Sequence, residues 1–143
     1  MELRYMKKYD NFLSSLDILK RADFSKAGED EIYRTGIVGQ FNLAFELAWK
    51  ALQAVLQLHS VANAETGSPR EILKLAYKTG FIQNDDVWLT MLKKRNSSVH
   101  IYNEEEIDEL ILLIRDSFIP VFDELAKTLK EKMDEADQES WNI

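Results

Sequence analysis

The sequence contains no cysteine, only two prolines and five glycines, and no apolar run near the ~20 residues that span a bilayer. Without cysteine, disulfides and thiolate metal sites are excluded. The first residues lead directly into an amphipathic pattern and lack the apolar core of a signal peptide. These absences predict an intracellular, cytoplasmic protein without a membrane segment.

Positive charge is also scarce, with 18 Lys and Arg against 25 Asp and Glu and a formal net charge of -7. Proteins that bind RNA across a wide surface do so with many cations, which release counterions from the phosphates. We therefore expect any nucleic acid to be held at a small local patch. Lys93-Lys94-Arg95 is the best candidate, although cations near a helix C-terminus also complement the helix dipole.

Apolar residues recur at helical spacing along the chain, and strand-like alternation is absent. Caps and turn residues predict helices from about Tyr5 to Ala22, from Asp30 to His59, from Ser68 to Gly80, from Asn84 into the segment after Arg95, and from Asn103 onwards. The 143 residues, 45% of them hydrophobic, suffice for one domain with a substantial core. The predicted fold is an all-α, up-and-down bundle of four principal helices with one short extra helix.

Three features should perturb these helices. Pro120 removes a backbone donor and crowds the carbonyl of Asp116, so it should kink the final helix. Gly36 and Gly39 weaken the second helix by ~1 kcal/mol each relative to Ala, which indicates a close approach of another helix or subunit unless a long helix simply tolerates them. The acidic tail after about Lys132 should fray.

A concentrated set of reactive groups lies between two predicted helices, where Arg95, His100 and Tyr102 fall within eight residues. On one uninterrupted helix Arg95 and His100 would lie about 140° apart. The intervening Asn-Ser-Ser is a poor helix interior and should break the helix, so the two side chains can converge on one ligand. The motif is therefore predicted to form a short loop.

A helix start follows the loop. Asn103 is predicted as the N-cap, Glu106 as the capping-box residue three positions later, and Tyr102 as an aromatic packed onto Ile107. This interpretation already accounts for an aromatic residue at position 102. It also accounts for the acidic run 104–106, because carboxylates are favoured at a helix N-terminus.

The pattern Arg-x4-His-x-Tyr, with Asn directly after the Arg, resembles the motif of HEPN domains, specifically the subfamily encoded beside minimal nucleotidyltransferases. Further segments match in order from about Ile32 to Leu125: Phe45-Glu46-Leu47-Ala48-Trp49-Lys50, Ser68-Pro69-Arg70-Glu71, Val87-Trp88-Leu89 and Arg95-Asn96. Ser97, Val99 and Ile101 depart from the residue types usual in that family. These departures leave the Arg, His and Tyr intact and concern only the packing of the loop.

The resemblance implies a metal-independent endoribonuclease toxin with Arg95, His100 and Asn96 as its catalytic residues. Cleavage needs a base for the 2′-hydroxyl and an acid for the leaving 5′-oxygen, which one His100 cannot easily supply at once. A homodimer would place two His100 and two Arg95 around one phosphate, with Arg95 stabilising the transition state and Asn96 orienting the backbone or His100. The structural alternative is that a lone histidine near a helix end is an ordinary satisfied polar group.

The resemblance also implies a partner. In related toxins the tyrosine at the position of Tyr102 is nucleotidylated by a minimal nucleotidyltransferase, which silences the neighbouring site. Residues two apart in an extended loop share one side, so an attached nucleotide would crowd His100, and its phosphate would pair with Arg95. The acidic run 104–106 would suit a basic surface on that partner.

Glu46 and Lys94 are the predicted supporting residues. Glu46 forms an i, i+4 pair with Lys50, which is worth only ~0.3 to 0.5 kcal/mol, but its apolar neighbours allow it to point inward and contact the motif. No glycine-rich phosphate loop, His-Glu-x-x-His or transferase-type Gly-Ser with paired Asp is present, so neither a cofactor nor a metal is expected. The alternative function is a noncatalytic, nucleotide-binding or substrate-binding subunit of a two-protein nucleotidyltransferase.

Overall fold

The computed structural model describes residues 4–100 and 103–141, with side chains through residue 138. It contains six α-helices within these ranges: α1 Arg4–Lys20, α2 Glu31–Leu58, α3 Pro69–Lys78, α4 Asp85–Ser97, α5 Glu104–Leu113 and α6 Ile119–Trp141. Short 3₁₀ turns cover Phe24–Gly28 and Ser98–His100, and a π turn covers Ile114–Phe118. Because α5 and α6 are two parts of the final helix, the predicted all-α bundle of four principal helices with one short extra helix is confirmed.

The long helix α2 is the centre of the bundle, because it packs against all the other α-helices. Its buried face repeats at helical spacing through Phe41, Phe45, Leu52 and Val55. The helix begins where the sequence predicts, since the Asp30 side chain accepts hydrogen bonds from two backbone N–H groups of its first turn. None of the described helices is long and apolar enough to cross a membrane.

A cluster of aromatic rings holds α4 against α2 and α6. The Trp88 ring of α4 lies 6.2 Å from Phe45 of α2 and 5.7 Å from Phe122 of α6, measured between ring centroids. Phe41 of α2 stacks on Phe118 at 5.2 Å and contacts Phe122 at 6.2 Å. Such pairs contribute about 0.5 to 1.5 kcal/mol each beyond area burial. The cluster therefore fixes the orientation of α4, the helix that carries the reactive motif.

Helix α3 is set by the signals that its sequence contains. Ser68 Oγ accepts from the Glu71 N–H at 3.2 Å, and Glu71 Oε1 accepts from the Ser68 N–H at 3.2 Å, so the predicted capping box is present. Pro69 occupies the first turn, where its missing N–H costs nothing. Gly80 follows the helix with a φ of +83°, the left-handed conformation that glycine adopts without strain.

The perturbation expected at Pro120 takes the form of the π turn just before it. Ile119 donates its N–H to the carbonyl of Ile114, five residues earlier, and Pro120 then has no N–H to offer Asp116. The turn separates α5 from α6 and places Ile114 and Phe118 in the core. Inserted π turns are one of the recognised causes of helix kinks.

One expectation about the helices needs correction, and another is narrowed. The acidic tail after Lys132 does not fray within the described residues, because α6 continues to Trp141. Met133 is buried, and the pairs Lys130–Asp134 at 2.8 Å and Lys132–Glu135 at 3.5 Å support the last turns.

For the glycines of α2 the structure removes one of the predicted alternatives. A Cβ at Gly36 or Gly39 would meet no described atom within 4 Å, and both residues are exposed. No described helix of the same chain therefore approaches them closely. Two explanations of Gly36 and Gly39 are therefore left: contact with another subunit, and simple tolerance of glycine in a long helix.

Candidate functional site

Arg95 lies near the C-terminal end of α4 and forms an ion pair with Glu46 of α2. Arg95 Nη1 donates to Glu46 Oε2 at 2.9 Å, and the guanidinium lies over the Phe45 ring, 5.4 Å from its centroid. Its side chain is 27% exposed and that of Glu46 is 31% exposed. The guanidinium is thus fixed on one side, and only its exposed part, which excludes the buried Nε, can reach a ligand.

Glu46 is shared among three donors. Trp49 Nε1 donates to the same Oε2 at 3.1 Å, and Lys50 Nζ lies 3.3 Å from Oε1. Burial raises the pKa of Glu46, but hydrogen bonds from Trp49 and Lys50 and the nearby cations outweigh it, so the pKa lies below the usual glutamate range. The inward contact with the motif expected for Glu46 is therefore present, together with the expected pair with Lys50.

The end of α4 is held by residues that the sequence interpretation missed. The helix ends at Ser97, within the segment 96–98 that was predicted to break it, so Arg95 and Asn96 lie on the helix and not in the predicted loop. Ser98 Oγ donates to the carbonyl of Arg95 at 2.9 Å and accepts from Asn42 Nδ2 at 2.9 Å. Asn42 lies one turn before Glu46 on α2, so the two polar residues four apart were a usable signal for a contact with α4.

Two buried polar atoms at this junction have no partner among the described residues: Arg95 Nε and Asn42 Oδ1. Buried donors and acceptors normally find partners in the protein or in ordered water, so each unpaired one calls for an explanation. The junction of α2 and α4 thus leaves one donor of Arg95 and one acceptor of Asn42 unsatisfied by the described residues.

Arg95 and His100 open into one groove, as the motif predicts. The groove has a volume of about 890 Å³ and is lined by Ser68, Pro69, Arg70, Leu89, Thr90, Leu92, Lys93, Arg95, Asn96, Ser97 and His100. One wall is the start of α3, the other is α4, and the 3₁₀ turn that follows α4 adds His100. The groove therefore combines a fixed guanidinium with an exposed imidazole, the groups needed to bind an anion and to exchange a proton.

The other predicted site residues are placed as follows. Asn96 lines the groove, but its side chain has no hydrogen bond to a described residue, so its role in orienting His100 stays a prediction. Lys93 lines the groove whereas Lys94, one position on around the helix, does not. Tyr102 lies outside the described residues, and so does its predicted contact with Ile107.

Helix α5 begins at the predicted cap and is tied to α2. Asn103 Oδ1 accepts from the Glu105 N–H at 2.7 Å; the bond goes to Glu105, not to Glu106 as a capping box requires. Arg34 of α2 pairs with Asp108 at 3.4 Å and Glu104 at 3.8 Å. Part of the acidic run at positions 104–106 is thus engaged within the chain.

Comparison with known proteins identifies the family. The sequence model of the family described as "nucleotidyltransferase substrate binding protein like" matches residues 6–131. The chain belongs to this family. No curated protein matches it.

Two solved structures place this family member among known folds. A Shewanella oneidensis HEPN toxin, tri-AMPylated and in complex with MNT antitoxin, is 16% identical with a TM-score of 0.74, and the match covers 92% of this chain and 99% of that one. A protein from Thermus thermophilus is 25% identical with a TM-score of 0.63, over 87% of this chain and 98% of that one. This member of the nucleotidyltransferase substrate binding protein family therefore has the HEPN fold that its motif predicted.

Proposed function

We propose that this chain is the HEPN-type toxin of a two-protein toxin–antitoxin module and that it cleaves RNA without a metal ion. The observation that carries the proposal is that Arg95 and His100 open into one groove, with Arg95 held in place by Glu46 at 2.9 Å. No acidic side chain lines that groove among the described residues, although the chain is acidic overall. An anionic substrate is therefore favoured there over the rest of the surface.

In the proposed reaction the 2′-oxygen of the substrate attacks the adjacent phosphorus while one His100 removes the 2′-hydroxyl proton. The bond from phosphorus to the 5′-oxygen breaks, and a second His100 protonates that oxygen. The products are a 2′,3′-cyclic phosphate and a free 5′-hydroxyl. Arg95 binds the phosphate and stabilises the charge that develops on its equatorial oxygens.

A homodimer would bring the second His100. On α2 the residues Ile32, Gly36, Gly39 and Leu43 fall on one face with Glu46, within about 80° around the helix axis. Ile32 is 85% exposed and Leu43 is 49% exposed, and the two glycines leave room for a close approach. A second copy seated on this face, which we call the α2 face, would lie beside the Glu46–Arg95 pair. The position of the α2 face thus supports a twofold arrangement with shared sites.

The proposed restraint is nucleotidylation of Tyr102 by a minimal nucleotidyltransferase partner. In that step the phenol oxygen bonds to the α-phosphorus of a nucleoside triphosphate, pyrophosphate leaves and the phenol proton is lost. The Shewanella toxin is AMPylated and in complex with its antitoxin, which supports adenylyl as the transferred group. A phosphate at position 102 would compete for Arg95 and crowd His100, two residues away.

The second candidate is a noncatalytic subunit that binds a nucleotide or substrate for its partner. The description of the family as substrate binding proteins favours it. A binding subunit needs the anion-binding groove and Arg95, but it does not need His100 as a proton carrier. The two functions therefore differ in what removal of the imidazole does.

The deciding experiment is incubation of RNA with wild type and His100→Ala in EDTA. Toxin activity predicts cleavage by wild type, 2′,3′-cyclic phosphate ends, and loss of cleavage in His100→Ala with RNA binding retained. His59→Gln is the matched control, since His59 Nε2 contacts the Lys132 carbonyl at 2.7 Å, outside the groove, and a glutamine can donate there. Binding by both proteins without cleavage would instead support the substrate-binding subunit, and loss of cleavage in EDTA with recovery in magnesium would reject the metal-independent mechanism.

A further inference from the structure

The groove extends from Arg95 and His100 to two further basic side chains. Arg70, at the start of α3, and Lys93, on α4, line the same groove from its two walls. Lys93 precedes Asn96 by three residues, so both lie on the side of α4 that faces the groove. The cationic lining therefore comes from two separate helices and is wider than the motif itself.

The charges of Arg70 and Lys93 are not neutralised within the described part of the chain. Neither side chain has an ion pair or hydrogen bond to a described residue. Four other arginines each pair with a carboxylate: Arg21, Arg34, Arg95 and Arg115. Arg70 has no such carboxylate partner among the described residues, and no described acidic side chain lines the groove. Its full charge is available to a ligand.

Arg70 also lies where a cation does not help its own helix. It is in the first turn of α3, directly after Pro69, and a helix N-terminus carries partial positive charge that favours anions. Helix stability therefore does not explain an arginine at this position, and residues that break a local rule in this way tend to belong to functional sites. Lys93 is different, because a cation in the second half of α4 also suits the helix dipole. Arg70 is therefore stronger evidence for a ligand-binding site than Lys93.

Neutral side chains complete this part of the groove. Pro69, Leu89 and Leu92 add apolar surface to the lining, and Ser68 and Asn96 add polar groups. A groove lined by cations can follow the phosphates of a flexible single strand. A single phosphate held by Arg95 would leave Arg70 and Lys93 without a ligand.

We infer that Arg70 and Lys93 form a phosphate-binding subsite for the single-stranded RNA on which the proposed cleavage acts, contacting phosphates next to the one held by Arg95. The inference rests on the proposed function. Substrate recognition then comes from about three phosphate contacts, made by Arg95, Arg70 and Lys93. Each contact that is lost should reduce the salt slope of binding by about 0.7 for a single strand. Such a small set of contacts reconciles RNA binding with a net charge of -7.

The first test measures binding of a single-stranded oligoribonucleotide to the His100→Ala protein at several salt concentrations. Arg70→Ala and Lys93→Ala, each added to His100→Ala, should weaken binding several-fold and reduce the slope of log K against log salt by about 0.7. Arg70→Lys should keep the slope, because it keeps the charge. Lys74→Ala is the matched control, since Lys74 is an exposed cation one turn further along α3 that does not line the groove. Equal slopes for Arg70→Ala and Lys74→Ala would overturn the inference.

The second test separates this subsite from the cleaved phosphate. With His100 intact, Arg70→Ala should raise KM for an oligoribonucleotide by several-fold at unchanged kcat, yet leave cleavage of a dinucleoside monophosphate unchanged, because that substrate has no neighbouring phosphate. An equal effect on both substrates would assign Arg70 to the cleaved phosphate or to folding, and would reject the subsite. Absence of cleavage in wild type is a separate failure, that of the proposed function, and it removes the basis for the subsite.

Discussion

Arg95 Nη1 and Glu46 Oε2 are 2.9 Å apart although the two residues are 49 positions apart in the sequence. The pair joins the reactive end of α4 to the middle of the central helix α2. Phe45, beside Glu46, contacts both the Arg95 guanidinium and the Trp88 ring, so the pair rests directly on the aromatic core. The position of the proposed phosphate-binding group is therefore set by the packing of the bundle.

Loss of Glu46 should slow RNA cleavage without removing either proposed catalytic side chain. We expect Glu46→Ala to lower kcat about ten-fold. Removal of a residue that orients a functional side chain, as known from metal sites, typically lowers activity by about 10- to 100-fold. Glu46→Gln should retain more activity, since its amide oxygen can still accept from Trp49 or Arg95. Steady-state kinetics with the oligoribonucleotide substrate checks this, and Glu109→Gln, an exposed carboxylate on α5, is the control. Wild-type kcat in Glu46→Ala would contradict the positioning role.

The Glu46 pair should also make stability depend on pH. Because the folded-state pKa of Glu46 is lowered, its ionised form contributes stability that is fully present above the ordinary glutamate pKa of ~4.3 and is lost as pH falls through the folded value. The difference in unfolding free energy between wild type and Glu46→Gln should be constant near neutrality and shrink in acid. Urea unfolding at a series of pH values measures it. A difference in unfolding free energy that grows as the pH falls would contradict this prediction.

A charge on the α2 face should separate the proposed dimer. Leu43→Glu places a carboxylate twice in a symmetric interface, and we expect dimerisation to weaken about 100-fold, with RNA cleavage falling in parallel. Leu112→Glu is the matched control, because Leu112 is 50% exposed, as Leu43 is 49% exposed, but lies on α5. Sedimentation velocity gives the oligomeric state of each variant. A fully active monomeric Leu43→Glu protein would show that one chain suffices for cleavage.

Replacement of Tyr102 should abolish the proposed modification. Co-expression with a minimal nucleotidyltransferase should add the mass of one or more adenylyl groups to wild type, and Tyr102→Phe should prevent the addition because the acceptor oxygen is gone. RNA cleavage and folding should be largely unaffected. Tyr77→Phe, at an exposed tyrosine of α3, controls for loss of a hydroxyl elsewhere. Equal labelling of wild type and Tyr102→Phe in intact-mass spectra would leave Tyr102 with only the role of a helix staple.

The positions of the helices could be predicted because their signals are local. Asp30 before α2, the Ser68 to Glu71 capping box of α3 and Gly80 after it act on backbone groups within a few residues. The buried stripe of α4, with Trp88, Met91 and Leu92, follows from helical periodicity alone. The motif residues Arg95 and His100 were likewise visible as a pattern of reactive side chains in the sequence.

What lies beside the motif depended on tertiary packing. Glu46 and Asn42 belong to α2 and Arg70 belongs to α3, and which face of each helix meets α4 is decided by how the aromatic rings of the core interlock. Two further features are visible only in the packed structure. No described helix of the chain covers Gly36, and α6 continues past the buried Met133 to Trp141. Local sequence therefore determined the elements and the reactive groups, whereas the packing of the helices determined the groove and its charge, because a side chain's neighbours are set by the orientation of whole helices.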